Sequence, residues 1–192
     1  MTDPNMSPTP PFLVVFVCTA NRARSPLAAS LFLRHAQGTG AAARSYGIAG
    51  RGGEPALPQA VEAGRRYGAD LTQHQATILV PGVVADADLV VGFERDHVST
   101  AVVEGGAARE RCFLFRQVVE LLDEAVQGVD RYARARARVA AAGERNALTD
   151  ARRLEMPDPA GKPAAVMYET AAEIDRLAAA LVRGLFGVPG SL

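Results

Sequence analysis

The chain has 192 residues, 48% of them hydrophobic and 22% charged, with a formal net charge of zero. That is enough for one well-packed domain, and with no net charge nothing points to nucleic acid or an anionic membrane as an obligatory partner. Two cysteines, Cys18 and Cys112, exclude a disulfide framework and point to a reducing, cytoplasmic setting. No run of residues has the length of a transmembrane helix. The polar, proline-rich opening, MTDPNMSPTPP, lacks the pattern of a signal peptide. Residues 1–10 therefore read as a disordered tail ahead of a single domain over 11–192.

Phe12 to Val17 is a continuous apolar run, a buried strand that delivers Cys18 at its end. Ser25-Pro26 is a helix start signal, with Ser25 expected at the N-cap, and the helix runs to about Gln37 before Gly38 and Gly40. Ala41 to Ile48 is a second strand, followed by a turn-rich stretch and a helix from Pro58 to Tyr67 that stops at Gly68. Thr72-Gln-His-Gln75 has capping-box spacing and predicts a short helix toward Leu79. Asp88 to Phe93 is a third strand, Glu94 to Val103 a helix, Arg111 to Phe115 a fourth strand and Arg116 to Asp123 a helix.

The pattern weakens between Glu124 and Glu155, which reads as a helical insert near 124–155. There Tyr132 to Ala142 is helix-prone but carries almost no large apolar residue, so a surface helix with a solvated arginine face is expected. Met156 to Pro163, MPDPAGKP, holds too many prolines for regular structure. The last helix, Ala164 to Phe186, places Ile174, Leu177, Leu181 and Leu185 on its core side. Short strands alternating with helices predict a parallel sheet with helices on both faces, and a ligand site beyond the carboxyl ends of the strands.

The Cys18 loop lies at such an end, and its chemistry fits a doubly charged oxyanion. A thiol attacks as the thiolate, a form favoured at a helix N-terminus beside cations such as Arg24 and Arg22. The backbone N–H groups of Thr19, Ala20, Asn21, Arg22 and Ala23 form an anion-binding concavity. Arg24, six residues after Cys18, adds a planar fork that can hold two phosphate oxygens. In-line attack at phosphorus would give a phosphocysteine, later hydrolysed. The leaving oxygen needs a proton, and Asp158 in the proline-flanked loop is the leading carboxylic acid.

VVFVCTANRARSPLA near the start and MPDPAGKP near the end resemble the low-molecular-weight protein tyrosine phosphatase family. The resemblance covers about Phe12 to Phe186, less the stretch between Glu124 and Glu155. It implies a flavodoxin-like three-layer α/β sandwich, with four parallel strands in the order 2-1-3-4 and helices on both faces. It also implies Cys18 as nucleophile, Arg24 as phosphate binder and Asp158 as general acid and then base, with Ser25 hydrogen-bonded to the thiolate. Asn21, Ser45 and His74 match the polar network that supports the loop. The implied substrate is a phosphorylated protein or small phosphomonoester, with no cofactor or metal.

The chain departs from the family pattern in several places. Arg22 stands where the pocket wall is usually apolar or threonine, and Ala23 replaces a cysteine that often protects the nucleophile as a disulfide. Ala160 and Gly161 follow Asp158-Pro159 where many members carry tyrosines. The insert is not a standard part of the pattern. Cys112, on the fourth strand, reads as a buried structural thiol. Two other functions share parts of this site: a thiol-dependent arsenate reductase, for which Cys112 alone is a thin supply of further cysteines, and a non-catalytic phosphate-binding relative, against which Cys18, Arg24, Ser25 and Asp158 stand together. A related phosphoarginine-hydrolysing branch uses threonine at the position of Arg22.

Overall fold

The computed structural model describes residues 10–122, 130–146 and 151–187. Most of the expected N-terminal tail, and parts of the expected insert, lie outside the described residues.

Four strands form a parallel sheet: β1 (Leu13–Cys18), β2 (Ala42–Gly47), β3 (Leu89–Gly92) and β4 (Cys112–Leu114), in the order β2-β1-β3-β4. β1 lies inside the sheet, in register from Leu13 opposite Ala42 to Cys18 opposite Gly47, and with Val14 opposite Leu89 on its other side. Its side chains alternate between two cores, as the pleat requires. Val14, Phe16 and Cys18 face one core and Leu13, Val15 and Val17 face the other. Because both faces are covered, β1 is apolar throughout rather than alternating.

The first core is closed by α1 (Arg24–His35), α2 (Pro58–Arg65) and the long α7 (Ala164–Phe186). α7 supplies Met167, Ala171, Ile174, Ala178, Leu181 and Leu185, all fully buried along one stripe. Phe16 sits between Phe32 and Phe115, with ring centroids 6.0 and 5.5 Å away. The second core is covered by α3 (Arg95–Val103), through Val98 and Ala101, and by Leu79 and Val84 of the irregular chain before β3. A short 3-10 turn, Arg109–Arg111, leads into β4, which passes directly into α4 (Phe115–Leu121).

Three local expectations change. α1 begins at Arg24 rather than Pro26, and Ser25 is not its cap: the N-cap is Ala23, with no side-chain capping bond. The Ser25 hydroxyl is engaged elsewhere, and Pro26 is still tolerated because the first helical N–H groups need no intrahelical acceptor. No helix forms at Thr72, whose N–H and hydroxyl both bond to Asp70. The chain beyond it stays extended because its backbone is needed by its neighbours. Ala76 N–H bonds to Glu54 O, Gly47 N–H to Thr77 O, and Leu79 N–H to Gly47 O.

The third change concerns α5 (Arg131–Glu144), which docks on the fold rather than lying on the surface. Ala135, Val139 and Ala142 are buried beneath it. Small residues suffice because the helix packs close: a Cβ on Gly143 would meet the Glu110 carbonyl oxygen at 2.5 Å. Its arginines are held by the protein. Arg136 pairs with Asp88 at 2.7 Å, Arg131 donates to Gly38 O, and Arg138 donates to Leu185 O. Asp88 and Gly38 precede β3 and β2, so α5 runs at the amino ends of the strands, away from the Cys18 loop. A short α6 (Ala151–Leu154) follows.

We expect Phe16→Ala to lower the unfolding free energy by about 3–5 kcal/mol, the cost of emptying a fully buried aromatic site. Urea unfolding should show a lower midpoint with an unchanged slope.

Candidate active site

The loop after β1 closes around Asn21, the one non-glycine residue with positive φ (56°) among the described residues. Asparagine enters this left-handed region more readily than most residues, and its side chain then anchors the turn. Its Nδ2 donates to Ser25 Oγ at 2.8 Å and to Ser45 Oγ at 2.9 Å, while its Oδ1 accepts from Thr77 N–H at 2.8 Å. His74 reaches the Asn21 carbonyl oxygen through Nε2 at 2.7 Å, and since a carbonyl only accepts, that nitrogen carries the hydrogen. Asn21, Ser45 and His74, expected as one network, therefore meet, and Ser25, expected at the thiolate, joins them through Asn21 Nδ2.

The loop's carbonyls are drawn outward. Cys18 O accepts from Ile48 N–H, Thr19 O from Ala49 N–H, and Arg22 O from Leu57 N–H, in addition to the His74 bond at Asn21. Turning these carbonyls out turns the intervening N–H groups toward the loop interior, where they make a concavity suited to an anion. Gly47, which no motif singled out, makes this possible. A Cβ there would meet the backbone of Ala20, Asn21 and Thr19 at 2.8–2.9 Å. The signal available in the sequence was a glycine ending the strand that pairs with β1.

Cys18 Sγ lies in this concavity, 2.9 Å from Ser25 Oγ and 3.3 Å from the Asn21 N–H. Ser25 Oγ accepts from Asn21 Nδ2 and has one hydrogen of its own, with Cys18 Sγ at 2.9 Å and Tyr46 O at 3.3 Å as acceptors. When the sulfur is a thiolate, the shorter contact is donated to it. Cys112 has no such company: burial pushes its thiol up to about 12, and its Sγ–H donates to Ala108 O. It lies on β4, separated from β1 by β3, and is a structural thiol.

Arg24 is 1% exposed, and its guanidinium is met by Thr19 of its own loop and by Glu94, Met156 and Asp158 from distant parts of the chain. Nη1 donates to Met156 O at 2.7 Å and lies 3.2 Å from Glu94 Oε2, and Nη2 lies 3.2 Å from Asp158 Oδ2 and donates to Thr19 Oγ1 at 3.0 Å. The Asp158 side chain is 41% exposed, and its other oxygen accepts from Ala160 N–H, which fixes the carboxylate within the proline-flanked loop. That loop is held from both sides: Met156 N–H bonds to Phe93 O, and Arg116 bridges Glu173 to the Glu155 carbonyl.

Arg22 turns away from the concavity, with Nε on Pro55 O at 2.9 Å and Nη1 3.4 Å from Glu54. Its backbone stays in the loop while its charge sits on the rim. Ala20 and Ala23 contribute only backbone and small side chains to the turn. Besides Gly47, two residues at the site carry no mark in the sequence motifs. Glu94 meets Arg24, and His97 is 1% exposed with Nε2 3.1 Å from Thr19 Oγ1. The available signal was a Glu-x-x-His spacing at the carboxyl end of a buried strand. Among the described residues no group of His, Cys, Asp and Glu has the arrangement of a metal site.

The model of the family described as "Low molecular weight phosphotyrosine protein phosphatase" matches residues 13–132. The protein-arginine-phosphatase of Bacillus subtilis is 29% identical over 130 residues, which is 64% of this chain and 86% of that protein. A probable low molecular weight protein-tyrosine-phosphatase EpsP of Ralstonia solanacearum is 40% identical over 78 residues, 41% of this chain and about half (52%) of that protein. Among solved structures, a low molecular weight protein tyrosine phosphatase from T. tengcongensis superposes with a TM-score of 0.66 at 26% identity, over 90% of this chain and 98% of that chain. The flavodoxin-like fold, the matched stretch and these relatives agree: the chain belongs to the low molecular weight phosphotyrosine protein phosphatase family of hydrolases.

Proposed function

We propose that the protein hydrolyses a phosphomonoester, protein phosphotyrosine or a related phosphorylated group, through a phosphocysteine intermediate. The observation that carries this reading is the convergence on one concavity of a sulfur bonded by Ser25 Oγ and Asn21 N–H, a buried Arg24, and Asp158 against that arginine. The N–H groups from Thr19 to Ala23 and the Arg24 fork hold the three nonbridging oxygens. Cys18 Sγ attacks phosphorus, an S–P bond forms, and the ester P–O bond breaks. The departing oxygen takes the proton of Asp158 as the acid. Water then attacks phosphorus, giving a proton back to the Asp158 carboxylate. The S–P bond breaks with its electron pair on sulfur, where the Ser25 hydroxyl steadies the thiolate, and inorganic phosphate leaves.

Asn21, Ser45 and His74 hold the loop in this shape without touching substrate. The reaction needs no cofactor or metal, and the reading places the protein in the cytoplasm, where its thiol stays reduced. Among the described residues no helix is long and apolar enough to cross a membrane.

The Bacillus relative favours a second reading, hydrolysis of protein phosphoarginine. Arg22 weighs against it, since it stands where the phosphoarginine-hydrolysing branch carries threonine. The rim also lacks tyrosines after Asp158, where Ala160 and Gly161 stand. Parallel assays on phosphotyrosine and phosphoarginine peptides, with Cys18→Ser as the blank, separate the two.

On p-nitrophenyl phosphate we expect turnover that is abolished in Cys18→Ser and lowered by about 100-fold or more in Arg24→Ala, the scale for removing a preorganised transition-state donor. Wild-type protein no faster than Cys18→Ser would remove the phosphatase reading. Asp158→Asn should slow esters with poor leaving groups much more than those with good ones, because only the former need the proton. Equal slowing across a leaving-group series would take the acid role away from Asp158.

A further inference from the structure

We propose that His97 is a positioning residue: through the Thr19 hydroxyl, it holds the Arg24 guanidinium in the orientation needed to follow the phosphate oxygens into the transition state. The inference rests on the phosphatase reading above. It starts from the first turn of α3, where His97 is buried and touches neither Cys18 nor Asp158 through any hydrogen bond.

The ring's tautomer follows from its partners. Nδ1 faces two backbone donors, Phe93 N–H at 3.3 Å and Glu94 N–H at 3.0 Å, so it must present a lone pair. The hydrogen of the neutral ring is therefore on Nε2, which donates to Thr19 Oγ1 at 3.1 Å. The same oxygen accepts from Arg24 Nη2 at 3.0 Å. Two donors occupy both lone pairs of the hydroxyl, and its rotation is fixed. Arg24 is thus held at Nη2 by Thr19 and at Nη1 by Met156 O, with the Phe93 ring 5.7 Å from its central carbon.

A protonated His97 could not play this part, because Nδ1–H would oppose two N–H groups. Burial first, and then the Arg24 charge, push the ring down to about 4, against the smaller pull of Asp158 and Glu155. Glu94, 3.4 Å from Nε2, is a further charged neighbour. The ring is neutral throughout the neutral pH range.

The test compares His97→Leu, His97→Gln, Thr19→Val and the His97→Leu/Thr19→Val double variant with wild type. Turnover is measured on p-nitrophenyl phosphate, and binding on orthovanadate, which adopts the five-coordinate geometry of the transition state, and on inorganic phosphate, which does not. His97→Leu and Thr19→Val should each lower kcat and vanadate affinity about tenfold, the scale of one hydrogen bond to a charged group, with little change in KM or phosphate affinity. The double variant should be no worse than either single one. His97→Gln, whose amide N–H can take the place of Nε2–H, should recover most of the loss.

Additive losses, equal weakening of vanadate and phosphate, or a Gln variant as poor as Leu would each overturn the proposal. Thr19 is only partly buried, so Thr19→Val and His97→Gln carry the test even where His97→Leu does not fold. The two affinities also report on the proposal independently of turnover, so failure of the phosphatase reading itself is seen separately, as wild type no faster than Cys18→Ser. The unfolded chain binds a proton at His97 near pH 6.5 and the folded chain only near pH 4. Stability conferred by the neutral ring is therefore present above pH 6.5 and lost as pH falls toward 4. His97→Gln should flatten that slope in denaturant titrations, and an unchanged slope would count against the acceptor role of Nδ1.

Discussion

The left-handed turn at Asn21 is the constraint on which the site depends. A chain leaving a parallel strand and entering a helix in five residues has to reverse its carbonyl direction, and a single residue at φ 56° does so. That geometry is costly for most side chains, and it is held here by bonds that no other residue at this position would make together. Ser25, Ser45 and Thr77 take the Asn21 side chain, and His74 takes its carbonyl. The outward carbonyls are caught by the chain from Ile48 to Leu57, and Gly47 lets that chain come close enough. The concavity is thus set jointly by the Asn21 side chain within the loop and by the segments that catch its carbonyls from outside.

Arg24 gives the second organising element. A guanidinium that is 1% exposed must be paired and hydrogen-bonded, or the cost of taking it out of water is not offset. Its partners come from the ends of β1 and β3 and from the proline-flanked loop before α7. One buried charge therefore gathers three segments that are far apart in the chain at the carboxyl edge of the sheet. The same requirement explains why a neutral histidine stands beside it: another cation in that space would be repelled, and His97 contributes a directed hydrogen bond without a charge.

Much of this was legible in the residues. The apolar run before Cys18, the Cys18–Arg24 spacing and the amphipathic stripe of α7 are local patterns, and local patterns survive folding when a strand or helix buries a whole face. The strand order and the meeting of Asn21, Ser45 and His74 were expectations of resemblance, and the fold places them together. The failures share a cause. Thr72 to Gln75 has good capping spacing, but Asp70, Glu54 and Gly47 compete for the same backbone and hold it extended. Ser25 looks like a cap because its hydroxyl is free in a sequence, whereas in the fold that hydroxyl belongs to Cys18 and Asn21. The alanine face of α5 carries no hydrophobic signal, since close packing against Glu110 and α7 substitutes for side-chain size.

By itself the sequence determined the α/β class and marked out the Cys18–Arg24 loop and the proline-flanked Asp158, because each is written in residues adjacent in the chain or in a motif of fixed spacing. Only the tertiary structure decided which way the loop's N–H groups turn, where the Arg22 charge goes, and that Gly47, Glu94 and His97 belong to the site. Those are properties of approach distances and hydrogen-bond competition between segments up to about 130 residues apart, as in the Arg24–Met156 contact. No local pattern carries them, because each depends on which donor reaches an acceptor first once the sheet has brought the segments together.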